Sequence, residues 1–164
     1  MKILFLPLNI ASVPSTTAFA LNKVEGINAK CLTNFTHKYQ SVNQTVLVLP
    51  NRLISRKNPF KWLYAQWKFK KMIKQWIAWA DVLHYIWGPA YEDGRDLQWA
   101  KKSGKLIFVE WVGSDLRNPD ILCRINKYYK AAFNNGYEYQ KFESSEYKNV
   151  VQRLFSNAGA KPIV

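Results

Sequence analysis

Four stretches of this sequence carry side chains that can do chemistry. Glu110 closes the apolar run Leu106-Ile107-Phe108-Val109 and is a candidate acid, base or hydroxyl acceptor at a strand end. Just beyond it comes Gly113-Ser114-Asp115-Leu116-Arg117. Gly113-Ser114 lets backbone N–H groups approach a ligand, Asp115 can accept from hydroxyls, and Arg117 can meet a phosphate or a sugar hydroxyl. Asp115 is equally suited to capping the turn and pairing with Arg117. His84 sits inside Val82-Leu83-His84-Tyr85-Ile86, where it is either a proton carrier or a satisfied core histidine. Trp87-Gly88 ends that run, and Trp87 can stack on a sugar ring or pack its own loop. Asn9, Ser12 and Ser15 add hydrogen-bonding groups in a polar loop near the start. Cys31 and Cys123 are far apart in apolar segments, which fits reduced thiols better than a disulfide. No metal-ligand spacing is present, and no metal is expected.

Positioning these groups requires strands that end near residues 6, 87 and 110. Lys2-Ile3-Leu4-Phe5-Leu6 is a short apolar run of the kind that forms a buried parallel strand. Residues 7–14 are expected to be an irregular loop, with Ser15 or Thr16 capping a helix over 17–23 and Gly26 closing it. Residues 28–33 and 45–49 are further strands. Asn58-Pro59 opens a helix to about Ala80. At 100° per residue, Trp62, Phe69, Ile73, Trp76 and Ala80 share its core face, flanked by Met72 and Ile77. A strand over 81–88, a helix over 92–103 and a central strand over 105–110 follow. Asn118-Pro119 starts another helix, Ser144 or Ser145 caps one running to about Asn157, and 161–164 begins a strand. Strands alternating with helices predict an α/β fold: a Rossmann-like, doubly wound, mostly parallel sheet flanked by helices.

The 164 residues suit one domain, with a globular share of apolar residues and an unusual wealth of aromatics. Charge is unevenly spread. Residues 1–80 hold twelve Lys/Arg against a single acid, Glu25, whereas residues 81–164 hold twelve against ten. The first half therefore projects a positive field toward an anionic partner. In the helix opened by Pro59, Phe60, Lys61, Tyr64, Trp67, Lys68 and Lys71 lie off the core face. Lysines beside aromatics resemble an interfacial surface for an anionic membrane; a solvated lysine face with covered aromatics is the other reading. No run is long and apolar enough for a transmembrane helix.

Three segments carry a family resemblance: the opening strand 1–6 with its polar loop 9–15, then Ala80-Asp81-Val82-Leu83-His84-Tyr85-Ile86-Trp87-Gly88, then Lys105–Val109 followed by Glu110-Trp111-Val112-Gly113-Ser114-Asp115-Leu116-Arg117. Together they resemble the N-terminal domain of GT-B glycosyltransferases, particularly the retaining family-4-like group. The third is similar to that group's strand followed by H-x-G-S-D-x-R, with Trp111 where many members have His. The resemblance implies a single acceptor-side domain over 1–164 that ends before a C-terminal nucleotide-sugar domain. It implies a sugar, lipid-linked or polysaccharide acceptor at Asn9, Ser12, Ser15, Trp87, Gly88, Gly113, Ser114, Asp115 and Arg117. Glu110, Asp115 and His84 are the catalytic candidates. This domain is expected to bind no cofactor itself, the nucleotide-sugar donor belonging to the full enzyme, and the chain alone is expected to be inactive. A cytoplasmic location, peripheral on the inner face of a membrane, goes with that reading.

Rival readings remain. A nucleic-acid-binding module shares the basic, aromatic footprint, yet no helix-turn-helix, zinc or RNP-type pattern is visible, and no nucleic acid is expected. A self-sufficient small Rossmann-like enzyme lacks G-x-G-x-x-G and Walker patterns. A secreted basic protein would use residues 2–8 and Ala18-Phe19-Ala20 as a cleaved signal.

Overall fold

The computed structural model describes residues 1–36, 38, 43–52, 55–113, 117–137, 140 and 144–163. Six strands form one sheet: β1 (Lys2–Leu6), β2 (Asn28–Thr33), β3 (Val46–Val48), β4 (Val82–Ile86), β5 (Leu106–Glu110) and β6 (Lys161–Ile163). Every pairing is parallel and the order is β3-β2-β1-β4-β5-β6. The chain thus winds outward from β1 in one direction and from β4 in the other, which is the doubly wound, Rossmann-like arrangement. Strands β1 and β4 are central, and parallel pairing sends the exits of β1, β4 and β5 to the same edge. Sequence reasoning expects that edge to carry the ligand.

The helices are α1 (Val13–Leu21), α2 (Pro59–Trp79), α3 (Arg95–Lys102), α4 (Pro119–Ile125), α5 (Lys127–Asn135) and α6 (Ser145–Ala158). Alternation along the strands sorts the core into two layers. Leu4, Leu6, Leu83, Tyr85, Ile107 and Val109 point toward α2, α3 and α6, meeting Phe69, Ile73, Leu97 and Phe155. Ile3, Phe5, Ala29, Cys31 and Ile86 point the other way, toward Ala18 of α1. Burial pushes the Cys31 thiol up to about 12, so it stays an inert core group. Both cysteines are free.

Several boundaries differ from expectation. The loop after β1 is shorter than 7–14: a single 3-10 turn at Ile10–Ser12 leads into α1 at Val13, with Pro14 in the first turn. Ser15 therefore does not cap the helix but lies buried inside it, its N–H donating to Asn9 Oδ1 at 3.1 Å. Ala18-Phe19-Ala20 is part of α1, with Ala18 fully buried. Helix α3 starts at Arg95, not 92, because Gly94 has φ +66° and a Cβ there would sit 3.0 Å from Leu154. The core stripe of α2 is Ala65, Phe69, Ile73 and Ile77, a strict four-residue spacing; Trp62 and Trp76 are only half-buried beside it. At α2, α4 and α6 the caps act where the sequence places them. Asn58 Oδ1 accepts from Lys61 N, Asn118 Oδ1 from Asp120 N and Ile121 N, and Ser144 Oγ from Tyr147 N. The short helix α5, capped by Asn126, is an element the sequence reading did not resolve.

Candidate functional site

At the carboxyl edge, the chain leaves β4 through a strained turn. Gly88 N donates to Ile86 O at 2.9 Å, closing a three-residue turn around Trp87, whose φ is +70°. A γ-turn of this hand is rare, and a tryptophan in it costs on the order of 1–3 kcal/mol. The β1 exit is strained as well: Ala11 and Ser12 have φ of 49° and 63°. Such conformations persist only where the surroundings hold them, and they concentrate at functional sites. Trp87 N also donates to Glu110 O at 3.2 Å, extending the β4–β5 ladder by one rung. Beside these exits, Asn34 N donates to Pro7 O at 2.9 Å and ties the end of β2 to that of β1.

A cleft of about 300 Å³ opens here. Its walls are Pro7 and Leu8 after β1, Asn34 and Phe35 after β2, Trp87-Gly88-Pro89 after β4, Glu92, and Tyr147 and Val151 of α6. Three aromatic rings with an amide and a carboxylate at the margin suit a polar ring-shaped ligand that offers apolar C–H faces and hydroxyl edges.

Only part of the sequence-derived site lies in this cleft. Trp87 and Gly88 line it. Asn9 and Ser15 are buried, Ser15 Oγ donating to Ser12 O at 2.9 Å, while Ser12 is half-buried in the turn. Gly113 and Arg117 stand at the β5 exit. There Arg117 O accepts from Nζ of buried Lys148 at 2.6 Å, which fastens this loop to α6. Ser114 and Asp115 lie outside the described residues. Phe35, Glu92 and Tyr147 were missed. Each stands outside the three segments that carried the family resemblance, and only the fold brings them to this edge.

His84 and Glu110 meet each other and not the cleft. They sit on the α1 side of the sheet, Nε2 to Oε2 3.0 Å, with the imidazole tilted against Phe5 at 4.9 Å between ring centres. The pair is close but off-line, because Nε2 makes no well-directed hydrogen bond. Burial pushes the His84 pKa below its ordinary 6.5, and the Glu110 carboxylate opposes that shift in part. His84 is thus neutral at neutral pH. As pH falls below 6.5 the unfolded chain binds this proton first, so His84 withdraws stability down to its folded value. In Glu110→Gln the opposing charge is gone, and the imidazole midpoint followed by proton NMR is expected to drop further. A rise would reverse the assignment of causes.

A buried carboxylate that the sequence reading passed over shapes the turn beyond the cleft. Asp96 is fully buried, and its oxygens accept from Ala90 N at 2.9 Å and Tyr91 N at 3.1 Å. The buried Tyr85 hydroxyl lies near it in electrostatic contact and without a well-formed hydrogen bond. Burial raises the Asp96 pKa, with the two backbone donors pulling the other way. Among the described residues no group of three His, Cys, Asp or Glu is placed to hold a metal ion. No helix among them is long and apolar enough to cross a membrane.

No protein-family model, curated protein or solved structure matches this chain. What defines the molecule is its fold: an α/β domain with a six-stranded parallel sheet and a cleft at the carboxyl edge.

Proposed function

We propose that this chain is the acceptor-binding domain of a GT-B-type glycosyltransferase, holding a sugar-containing acceptor in the cleft beside Trp87 at an anionic membrane surface. The observation that carries the reading is the strained turn that keeps Trp87 in the cleft with Phe35 and Tyr147. Aromatic rings stack on the C–H faces of a pyranose, while Asn34 and Glu92 are available to its hydroxyls. Transfer needs one acceptor hydroxyl fixed near an anomeric carbon, and a rigid wall set by backbone strain supplies that orientation. In this reading the nucleotide-sugar donor sits on a further domain, and this chain contributes position, not leaving-group chemistry. The strand order and the sequence segments 80–88 and 105–117 agree with it.

The test is direct binding of saccharides to the chain. Glucose and N-acetylglucosamine should perturb Trp and backbone amide NMR signals around residues 86–89 saturably. Trp87→Ala should weaken that binding by up to about tenfold, the value of one aromatic stacking contact. Incubation with a nucleotide sugar should yield no transfer by the chain alone. Saccharide binding that is absent, or indifferent to Trp87→Ala, would remove the cleft from the acceptor role.

The outer face of α2 supports a second reading, a basic surface-binding module without catalysis. Phe60 is 83% exposed and Trp67 54%, interleaved with exposed Lys61, Lys68 and Lys71. Vesicle binding without saccharide binding would favour that module over the transferase.

A further inference from the structure

A second cavity lies on the α2 side of the domain, between the β3 exit, the N-terminal half of α2 and the turn before α3. It has a volume of about 450 Å³ and is walled by Arg52, Arg56, Trp62, Tyr91 and the ion-paired Asp93 and Arg95, with Glu92 at the border it shares with the sugar cleft. Its arginines are held in an unusual way. The Arg52 guanidinium sits 4.9 Å from the Phe69 ring centre and 5.0 Å from that of Tyr91. Arg56 lies 5.5 Å from the Trp62 ring centre. The ion pairs between described residues are His84–Glu110 and Arg95–Asp93, so neither Arg52 nor Arg56 has an acidic partner among them.

Aromatic faces hold a guanidinium in place without neutralising its charge or occupying its N–H donors. Arg52 is only half exposed, and among the described residues no carboxylate pairs with it; of the two acids on the cavity wall, Asp93 is taken by Arg95. The backbone beneath is fixed as well. Gln66 Nε2 donates to Arg52 O at 2.9 Å, and Tyr91 N donates to buried Asp96. Arg95, bound through Nε to Asp93 at 2.7 Å, also lies 5.0 Å from the Tyr91 ring centre. The chain thus presents one guanidinium held between rings, Arg52, and a second exposed one, Arg56, beside Trp62, neither ion-paired among the described residues. Paired forks suit the oxygens of a phosphate, and the rings suit the body it is attached to. The volume exceeds what an inorganic ion fills.

We infer that the Arg52–Arg56 cavity is an organophosphate site, taking a phosphate ester whose ring or glycerol body lies against Trp62 and Tyr91. This site stands whether or not the neighbouring cleft holds a sugar. A soluble phosphate ester and a phospholipid headgroup offer the same chemistry, and two arms of one experiment separate them. In the first, the whole chain is titrated with glucose-1-phosphate by calorimetry and phosphorus NMR. In the second, it is sedimented with phosphatidylglycerol vesicles in a background in which Lys61, Lys68 and Lys71 are all Gln. Arg56→Ala removes an exposed side chain without opening the core. Arg52→Lys keeps the charge and loses the fork. Each should weaken glucose-1-phosphate binding about tenfold, with thermal unfolding of Arg56→Ala unchanged. Arginine-dependent binding in the vesicle arm alone would identify a lipid headgroup as the source of the phosphate, and the site would stand. Absence of saturable binding in both arms overturns the inference, as does binding that neither arginine variant alters.

Discussion

Replacing Lys61, Lys68 and Lys71 together by Gln is expected to lower the partitioning of the chain onto phosphatidylglycerol vesicles by somewhat more than a hundredfold. The reason begins with the register of α2. Ala65, Phe69, Ile73 and Ile77 fix one side of the helix to the sheet, so residues half a turn away must face outward. Those residues are Phe60, Tyr64 and Trp67, with Leu63 near them, all exposed. Tyr64 and Trp67 stack at 5.9 Å, and Lys71 Nζ lies 5.1 Å from the Trp67 ring centre. This is an apolar ridge flanked by ammonium groups. It can lie in a headgroup layer with its rings below and its lysines among the phosphates. Each lysine near an anionic surface contributes about 1 kcal/mol, so three sum to about 3 kcal/mol, and 1.4 kcal/mol is tenfold. Lys and Gln have similar helix propensity, so circular dichroism and the melting temperature should hold. Vesicles of phosphatidylcholine should bind weakly, and salt should weaken binding to the anionic vesicles. Equal binding to both vesicle types, or an unaffected triple variant, would leave the ridge without a lipid partner. Steeply salt-dependent RNA binding with no vesicle binding would transfer the surface to nucleic acid.

Most elements other than α5 were legible in the sequence because each follows from a local rule. Parallel strands show as continuous apolar runs, as in β1, buried on both faces from Ile3 to Leu6, and in β5, buried on one face at Ile107 and Val109. Asn-Pro and Ser signals start α2, α4 and α6 where caps are chemically required. The sheet order was legible only as a class, since pairing is decided by packing between distant segments. The site was half legible. Trp87 and Gly88 could be found because they end an apolar run, and strand ends gather at one edge of a parallel sheet. Glu110 also ends a strand and His84 lies mid-strand beside it, but side-chain alternation turns both to the α1 face of the sheet, away from the cleft. An error of one residue in parity decides that outcome, and sequence alone does not fix parity for strands apolar on both sides. Phe35, Glu92 and Tyr147 come from three separated segments, and Arg52 is held by rings from α2 and the β4–α3 turn. No spacing rule reports such convergence.

Asp96→Ala should be the most destabilising single change outside the apolar core, by about 3 kcal/mol in denaturant unfolding. Asp96 accepts two backbone N–H groups, from Ala90 and Tyr91, that its removal would strand in a buried turn. Each stranded donor costs about 1–3 kcal/mol. Against this, the variant no longer buries a carboxylate, which trims the loss. Burial raises the pKa of Asp96 in the folded chain above its ordinary 3.8. Folding therefore disfavours the ionised form, and the contribution of Asp96 to stability declines as pH rises from 3.8 through the folded value, then levels. The stability gap between wild type and Asp96→Ala should be widest in acid and narrower at neutral pH. The difference between the two proteins isolates this one group, because every other carboxylate is common to both. The loss should also reach both cavities, since Asp96 holds the N–H of Tyr91, a wall of the arginine cavity, and the turn that carries Glu92. A variant that unfolds like wild type at all pH values would mean that water or a shifted turn satisfies the two N–H groups. Asp96 would then not be what fixes Tyr91, and with it Arg52.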